Sequence, residues 1–228
     1  MLLAIDVGNS KIALGIFEDG KLKTHLSIAT SIHRSSDEYG AVLFGLLPYH
    51  GVSREDLNEA IMCGVVPPLV PVFEEMCQRY LGVDLLVVEP GVKTGVRINM
   101  ENPREVGPDR IVNAASAYGL YGGPAIVIDM GTATTFDVIS EDGSYIGGAI
   151  APGMESATEA LFTRTARLPR IELVRPQTAI GKNTVSAMQS GVVFGYVGLV
   201  EGLVARIIRE LGGKARVIAT GGYGDLIA

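Results

Sequence analysis

The 228-residue chain has little cysteine, no excess of positive charge and no long uninterrupted apolar run. Its two cysteines, Cys63 and Cys77, lack the spacing of a metal site, so we interpret them as free thiols in a reducing cytoplasm. Lysine and arginine number 19 against 25 aspartates and glutamates, which gives a net charge of −6. Nucleic-acid-binding proteins use clustered Lys and Arg, and this acidic balance therefore predicts a protein with no nucleic-acid partner.

Membrane spans and export signals are also missing from the sequence pattern. The longest apolar stretch worth testing covers residues 191–200 and runs into Glu201, whereas a membrane span needs about 20 apolar residues. Asp6 interrupts the N-terminal apolar run, so no signal peptide is visible. Together these absences predict a cytoplasmic protein with no membrane partner.

Glycine, by contrast, is abundant. The chain has 29 glycines, and its 47% hydrophobic and 19% charged residues exclude a disordered chain. Gly191, Gly195, Gly198 and Gly202 follow one another at spacings of 4, 3 and 4, which places them on one face of a helix. Glycine weakens a helix by about 1 kcal/mol relative to alanine. We therefore interpret this face as a site of close backbone approach, within the subunit or across a dimer.

An internal repeat organises the chain. Residues 4–22 recur as residues 127–145 at an offset of 123, with seven identities and no gap. The repeated residues are Ile5, Asp6, Gly8, Ile16, Glu18, Asp19 and Gly20, matched by Ile128, Asp129, Gly131, Ile139, Glu141, Asp142 and Gly143. Each copy predicts a strand ending in Asp, a tight turn, a second strand and an Asp-Gly hairpin, followed by a third strand.

Helical segments follow each copy of the repeat. They are expected at residues 37–47, 69–81, 109–121, 154–164 and 184–211. This order predicts an α/β protein of two similar domains, 1–115 and 116–228, with a cleft between them.

The two turns after Asp6 and Asp129 suit a nucleotide. Glycine beside a small polar residue directs backbone N–H groups towards a phosphate, and the strand-end aspartate is placed to hold a hydrated cation. Two ordinary hairpins are the alternative, but two copies in one register favour the phosphate interpretation. Neither a G-x-x-x-x-G-K-[ST] loop nor a G-x-G-x-x-G fingerprint occurs in the sequence.

Five motifs occur in a fixed order along the chain. They are Asp6-Val7-Gly8-Asn9-Ser10, Gly107-Pro108-Asp109-Arg110, Asp129-Met130-Gly131-Thr132-Ala133-Thr134-Thr135, Gly147-Gly148-Ala149-Ile150-Ala151-Pro152-Gly153 and Thr220-Gly221-Gly222. Over essentially its whole length the chain resembles the type III pantothenate kinases of the actin-like ATPase superfamily, which includes acetate and sugar kinases. The resemblance implies two duplicated ribonuclease H-like domains with an interdomain cleft.

The resemblance also implies an activity and a set of site residues. ATP, with Mg²⁺, would phosphorylate pantothenate to 4′-phosphopantothenate, the first step towards coenzyme A, in a homodimer. Asp109 would be the general base, Asp129 a ligand for K⁺ or NH₄⁺, and Asp6 a ligand for Mg²⁺ through ATP. The expected ATP contacts are Asp6, Val7, Gly8, Asn9, Ser10, Lys11, Gly131, Thr132, Gly221 and Gly222. The expected pantothenate contacts are Met100, Gly107, Pro108, Asp109, Arg110 and Thr184.

Several alternatives stay open at the level of sequence. Asp109 is also a suitable N-cap for the following helix, Thr184 is also a candidate helix cap, and Arg110 also fits a solvated first turn. Met100 stands where the family often has tyrosine, and the end at Ala228 leads us to expect a missing C-terminal segment. A non-catalytic regulator like the Bvg accessory factors, or another small-molecule kinase of the superfamily, is the alternative function.

Overall fold

The computed structural model describes residues 1–89 and 91–227, and the chain divides into two compact units. The first comprises Met1–Lys93 and Arg104–Val112, and the second comprises Thr94–Pro103 and Asn113–Ala228. The segment 94–103 thus belongs with the second unit, although it precedes the predicted boundary. The division into domains 1–115 and 116–228 stays a prediction, and Ala228 lies outside the described residues.

The first unit contains a five-stranded sheet in the order β3-β2-β1-β4-β5. Its strands are β1 Leu2–Val7, β2 Lys11–Glu18, β3 Lys21–Ala29, β4 Glu59–Gly64 and β5 Leu85–Val87. The first three strands pair antiparallel, whereas β4 runs parallel to β1 and β5 parallel to β4. Alternate side chains of β1 and β2 are buried, as expected for strands with one face on a core.

Helices α1 Ser36–Leu46 and α2 Val70–Met76 supply the other half of that core. A capping box starts α1, because the Glu38 backbone N–H donates to Ser35 Oγ while the Ser35 N–H donates to Glu38 Oε2. Helix α2 continues into a π-helical turn, Cys77–Leu81, and ends at Gly82 in the left-handed conformation. Short 3₁₀ turns occupy Leu47–His50, Arg54–Asp56, Pro67–Leu69 and Pro103–Glu105.

The second unit contains a four-stranded sheet in the order β8-β7-β6-β9. Its strands are β6 Ala125–Met130, β7 Ala133–Ile139, β8 Tyr145–Pro152 and β9 Arg216–Gly221. Strands β6, β7 and β8 pair antiparallel, and β9 runs parallel to β6. The first four strands of the other sheet have the same order and directions. The molecule is therefore a mixed α/β protein with two sheets.

Four further helices are described after the first unit's α1 and α2, and three of them were predicted from the sequence. They are α3 Pro108–Tyr121, α4 Met154–Arg164, α5 Thr184–Glu210 and the single turn α6 Gly224–Ile227. The predictions of helices at 109–121, 154–164 and 184–211 are confirmed to within one residue at each end. Pro108 at the first position of α3 and the Asn183 cap of α5 are signals of a helix start.

The offset of 123 does not hold for structurally equivalent residues in the second strand of each repeat. Asp6 pairs with Ala13 across the first turn, but Asp129 pairs with Thr135 across the second, not with Phe136. The second turn is therefore one residue shorter.

The following hairpin restores the offset of 123. Its loop is Asp19-Gly20 in the first copy, whereas in the second copy Ser140 N donates to Ser144 O across a three-residue loop. Residues of β2 that are identical to β7 residues at the offset of 123 therefore do not occupy equivalent positions. They differ by one position along the strand.

Helix α5 is longer than the apolar run of residues 191–200 on which a membrane span was excluded. It is 27 residues long, and an 18-residue window has mean hydropathy 1.7 with 17% of the window buried. An uninterrupted apolar run is shorter than the helix that contains it, because a helix also accommodates isolated polar residues. Length and composition alone thus do not exclude a span, although one such helix is weak evidence for a membrane protein.

Candidate active site

The first predicted phosphate turn joins β1 to β2 and is braced from β3. The Gly8 N–H donates to the Lys11 carbonyl oxygen at 3.0 Å, and Thr30 Oγ1 donates to the Gly8 carbonyl oxygen at 2.7 Å. The Thr30 N–H also donates to the Ser10 carbonyl oxygen at 3.2 Å. Asn9, Ser10 and Lys11 are exposed, whereas Val7 is fully buried. The turn is thus held by its backbone while its side chains face solvent.

Asp6 lies at the carboxyl end of β1, directly beside Cys63 of the parallel strand β4. Cys63 Sγ donates a hydrogen bond to Asp6 Oδ1 at 3.3 Å. Burial raises the pKa of the Cys63 thiol far above its ordinary value, and the negative charges of Asp6 and Asp109 raise it further. The thiol is therefore protonated at neutral pH and acts as a donor. The carboxyl ends of parallel strands are also where α/β proteins bind ligands.

Residues 107–110 form the start of α3 in the same unit. Pro108 is the first helical residue, and the Gly107 carbonyl oxygen accepts hydrogen bonds from the N–H groups of Arg110 and Ile111. Asp109 is therefore inside the first turn, and its interpretation as the N-cap is wrong because Gly107 occupies that position. Arg110 is half-buried and has a polar partner, so it is not a solvated first-turn residue.

Asp109 Oδ1 is buried and, among the described residues, has no hydrogen-bond partner. A Cβ atom on residue 107 would lie well within 3.0 Å of that oxygen, so only glycine leaves the carboxylate this position. Buried carboxylate oxygens are normally paired, and an unpaired one is a candidate acceptor for a ligand proton.

The second predicted turn joins β6 to β7. Asn113 Nδ2 donates to Asp129 Oδ2 at 3.2 Å, and the Gly131 N–H donates to the Ala133 carbonyl oxygen at 3.0 Å. The Thr132 carbonyl oxygen accepts from Ser156 Oγ at 2.8 Å, which ties the turn to the first residues of α4. Gly131 and Thr132 are exposed.

Gly221 and Gly222 lie at the end of β9, beside the second turn. Gly221 pairs with Met130 in the parallel register and has φ +94, and a Cβ there would lie 2.6 Å from the Met130 nitrogen. No residue with a side chain fits this position. Tyr223 follows, and its pKa is raised to about 12 by burial and by a hydrogen bond with Glu155.

The predicted pantothenate contacts of the second unit occupy two places. Thr184 lines an open apolar cavity of about 910 Å³ between α4 and α5, together with Gly191 and Gly195. Asn183 caps α5 through Ser186 N, so the interpretation of Thr184 as the cap is wrong. Met100 is not among the cavity's lining residues, and its sulfur lies beside Gly147 of β8.

Known proteins match this chain along almost all of its length. The family model described as type III pantothenate kinase matches residues 2–206. The chain belongs to the type III pantothenate kinase family. A type III pantothenate kinase of Dehalococcoides mccartyi is 56% identical over 227 residues, covering 100% of this chain and 88% of that protein.

Solved structures show the same fold at much lower identity. A Campylobacter jejuni protein described as a Baf family transcriptional activator has a TM-score of 0.60 at 20% identity, covering 99% of this chain and 86% of its own. The Clostridium difficile activator of 2-hydroxyisocaproyl-CoA dehydratase, with bound ADPNP, has a TM-score of 0.52 at 13% identity, covering 99% and 81%. This pantothenate kinase family member thus shares its fold, a mixed α/β fold with two sheets, with these proteins.

Three polar residues that contact or adjoin the predicted site residues were not predicted from the sequence. Cys63 contacts Asp6, Asn113 contacts Asp129, and Thr134 Oγ1 is buried with no partner among the described residues. Cys63 was predicted only as a free thiol, because its contact with Asp6 depends on the parallel pairing of β1 and β4. The other two depend on side-chain packing.

The residues present suit Mg²⁺ bound through a nucleotide. Within residues 1–89 and 91–227 there is no group of three or more His, Cys, Asp or Glu side chains suited to hold a metal by themselves. Mg²⁺ in kinases is commonly held by one or two carboxylates together with substrate phosphates. Asp6, an exposed carboxylate beside a turn rich in backbone N–H groups, fits that requirement.

Proposed function

We propose that this chain transfers the γ-phosphoryl group of ATP to the primary hydroxyl of pantothenate. The product is 4′-phosphopantothenate, and the reaction is the first step of coenzyme A biosynthesis. Membership of the type III pantothenate kinase family supports this assignment. The single structural observation that carries it is the buried Oδ1 of Asp109 in the first turn of α3, which has no hydrogen-bond partner among the described residues.

Asp109 is the proposed general base. As the pantothenate oxygen bonds to the γ-phosphorus, the bond from that phosphorus to the β,γ-bridging oxygen breaks and ADP leaves. The hydroxyl proton passes to Asp109. Phosphoryl transfer needs positioning and charge neutralisation more than covalent chemistry, so a fixed carboxylate at the hydroxyl is sufficient. Gly107, Pro108 and Arg110 flank the base, and the Arg110 guanidinium is suited to pair with the carboxylate of pantothenate.

The two turns are the proposed phosphate sites. Residues 6–11 and the pair Gly131 and Thr132 would contact ATP phosphates, and Asp6 would hold Mg²⁺ through ATP. Magnesium neutralises phosphate charge that the aspartates would otherwise repel. Gly221 and Gly222 would lie near the adenosine, where the absence of side chains permits close approach.

The shared strand order of the two sheets supports duplicated ribonuclease H-like domains, 1–115 and 116–228. Asp129 is the proposed ligand for K⁺ or NH₄⁺, with Asn113 fixing the carboxylate through its amide. The proposal places the enzyme in the cytoplasm, without a nucleic-acid or membrane partner.

The cavity between α4 and α5 supports a homodimer with pantothenate near the interface. It is apolar and open, and Thr184, Gly191 and Gly195 line it. Thr184 and Met100 are the proposed pantothenate contacts of the second unit. Met100 fills space where the family often has a tyrosine phenol, without supplying that hydroxyl.

A coupled ADP-release assay tests the function. Purified protein with ATP, Mg²⁺ and K⁺ is offered pantothenate, acetate and a panel of sugars, and only pantothenate is expected to release ADP. Asp109→Asn keeps the shape of the side chain but removes the base, so we expect kcat to fall about 10²- to 10⁴-fold while ATP affinity stays within about 2-fold. Phosphorylation of a sugar or acetate instead of pantothenate would refute the substrate, and full turnover by Asp109→Asn would refute the base.

A further inference from the structure

Cys63 occupies a position within the first unit that the proposed chemistry has not yet used. It lies opposite Asp6 in the parallel register of β1 and β4, and its Sγ donates to Asp6 Oδ1 at 3.3 Å. Its side chain also lies within electrostatic reach of Asp109. A neutral donor thus lies close to the two carboxylates assigned to Mg²⁺ and to the general base.

The backbone around Cys63 is held tightly against β1. The Val65 N–H donates to the Val7 carbonyl oxygen at 3.0 Å. A Cβ on Gly64 would lie 2.8 Å from the Val7 Cβ, so the strands could not approach this closely with any other residue there. Cys63 is therefore presented to Asp6 from a rigid strand, whereas Asp6 itself is exposed.

The surroundings of the thiol direct its hydrogen bond to Asp6. Cys63 is only 9% exposed. It borders a mostly apolar depression of about 290 Å³ on the same sheet face, lined by residues that include Ala4, Ala13 and Ile61. Apart from Asp6 and His25, the residues that line it with Cys63 carry no side-chain hydrogen-bond acceptor. A hydrogen bond from a fixed donor restricts the rotation of an exposed carboxylate, which lowers the entropy lost when that carboxylate binds a ligand.

We propose that Cys63 is a positioning residue for Asp6, whose S–H group orients the carboxylate that meets the magnesium–nucleotide complex. This inference rests on the proposed function, since it assigns Asp6 to Mg²⁺ and ATP. It makes Cys63 a hydrogen-bond donor, neither a nucleophile nor a metal ligand.

The test compares two variants that differ only in a hydroxyl group, Cys63→Ser and Cys63→Ala. We expect Cys63→Ala to weaken Mg²⁺–ADP binding in calorimetry about 5- to 10-fold, the loss typical of one net hydrogen bond. The concentration of Mg²⁺ that half-activates turnover rises with it. Cys63→Ser restores both values to within about 2-fold of wild type. A merely structural role predicts the opposite order, because serine buries a more polar group than alanine.

Two controls make the outcome decisive. In an Asp6→Ala background, Cys63→Ala and Cys63→Ser are expected to bind Mg²⁺–ADP equally well. Cys77→Ser, in the other buried cysteine, is expected to leave the affinity unchanged. Equal affinities for Cys63→Ala and Cys63→Ser in the protein that retains Asp6 would overturn the proposal.

Loss of folding, and failure of the proposed substrate, can each be distinguished from failure of the proposal for Cys63. Thermal unfolding of each variant detects a loss of structure, and the pair Cys63→Thr and Cys63→Val repeats the comparison if alanine destabilises the chain. Failure of the wild type to phosphorylate pantothenate would refute the proposed function, whereas the calorimetric comparison still decides the role of Cys63.

Discussion

Adding one methyl group at Gly107 should lower the activity of this protein more than it lowers its stability. The Cβ of Gly107→Ala would lie well inside 3.0 Å of Asp109 Oδ1, a distance that real Cβ atoms do not show. Ordinary contact begins at about 3.4 Å, so the carboxylate must move by several tenths of an ångström to about 1 Å. The other two contacts, Asp109 Cγ at 3.5 Å and Val65 Cγ1 at 3.9 Å, lie at ordinary van der Waals distance. The substitution therefore acts on the proposed base alone.

The two consequences differ in size. Misplacing a catalytic group by 1 Å costs up to about 10²-fold in rate, so we expect kcat to fall about 10- to 100-fold, equivalent to about 1.4–2.7 kcal/mol. Stability should change less, because a carboxylate end moves easily. Replacing glycine by alanine before a helix costs about 1 kcal/mol, or a fall of roughly 2–4 °C in Tm for a chain of this length.

The assay measures ADP release at saturating ATP and pantothenate, well below the Tm, with unfolding followed by circular dichroism. Gly119→Ala is the matched control, because Gly119 is exposed on the same helix and a Cβ there meets nothing within 4 Å among the described residues. We expect it to leave kcat unchanged and to raise stability by about 1 kcal/mol. Wild-type kcat in Gly107→Ala would refute the argument that the position of Asp109 controls the reaction.

Three further predictions concern the cation, the partner surface and pH. Asn113→Leu removes the amide that donates to Asp129, so the K⁺ concentration needed for half-maximal activity should rise several-fold; an unchanged K⁺ dependence would remove Asn113 from the cation site. Gly195→Leu should leave subunit folding intact, since a Cβ there meets nothing within 4 Å among the described residues, but should shift a dimer to monomer in analytical ultracentrifugation; a persistent dimer would place the interface elsewhere. Burial raises the pKa of the Cys77 thiol from 9.0 to about 11, so the unfolded chain loses its proton first and stability falls as pH rises between these values. Cys77→Ala should make the urea midpoint fall less between pH 7 and pH 10 than in wild type, and an equal fall would assign the alkaline loss to other groups.

The elements that were predicted well are those set by local sequence. Pro108 after Gly107 fixes the start of α3, and Asn183 fixes the start of α5. Period-two and helical apolar patterns gave the order of strands and helices, because those periods follow from backbone geometry. The residues of the two turns are also local, so each turn could be assigned as a unit.

The features that were missed depend on pairing between distant segments. The sequence repeat did not reveal that the turn after Asp129 is one residue shorter than the turn after Asp6, because the following hairpin restores the spacing. The contact of Cys63 with Asp6 needs the parallel register of β4, which no local pattern encodes. The association of residues 94–103 with the second unit likewise depends on a bridge from Ile98 to Tyr145.

Helix α5 presents two different surfaces, and their chemistry bears on what covers the exposed one. Met188, Val192, Val193 and Tyr196 are buried, and the Tyr196 hydroxyl donates to the Pro152 carbonyl oxygen, so one face is fixed to the second unit. A helix held in this way is not surrounded by lipid, despite its hydropathy.

On the exposed side, Gly191, Gly195 and Gly198 have open space beside them within the described chain. Each costs the helix about 1 kcal/mol relative to alanine, and no packing against a Cβ at these positions by the described residues would offset that cost. Close approach by a second protein surface does offset it, and the adjoining apolar cavity that includes Thr184 gives such a surface something to cover. The glycines of α5 therefore favour a protein partner over a membrane, and a second copy of this chain is the proposed one.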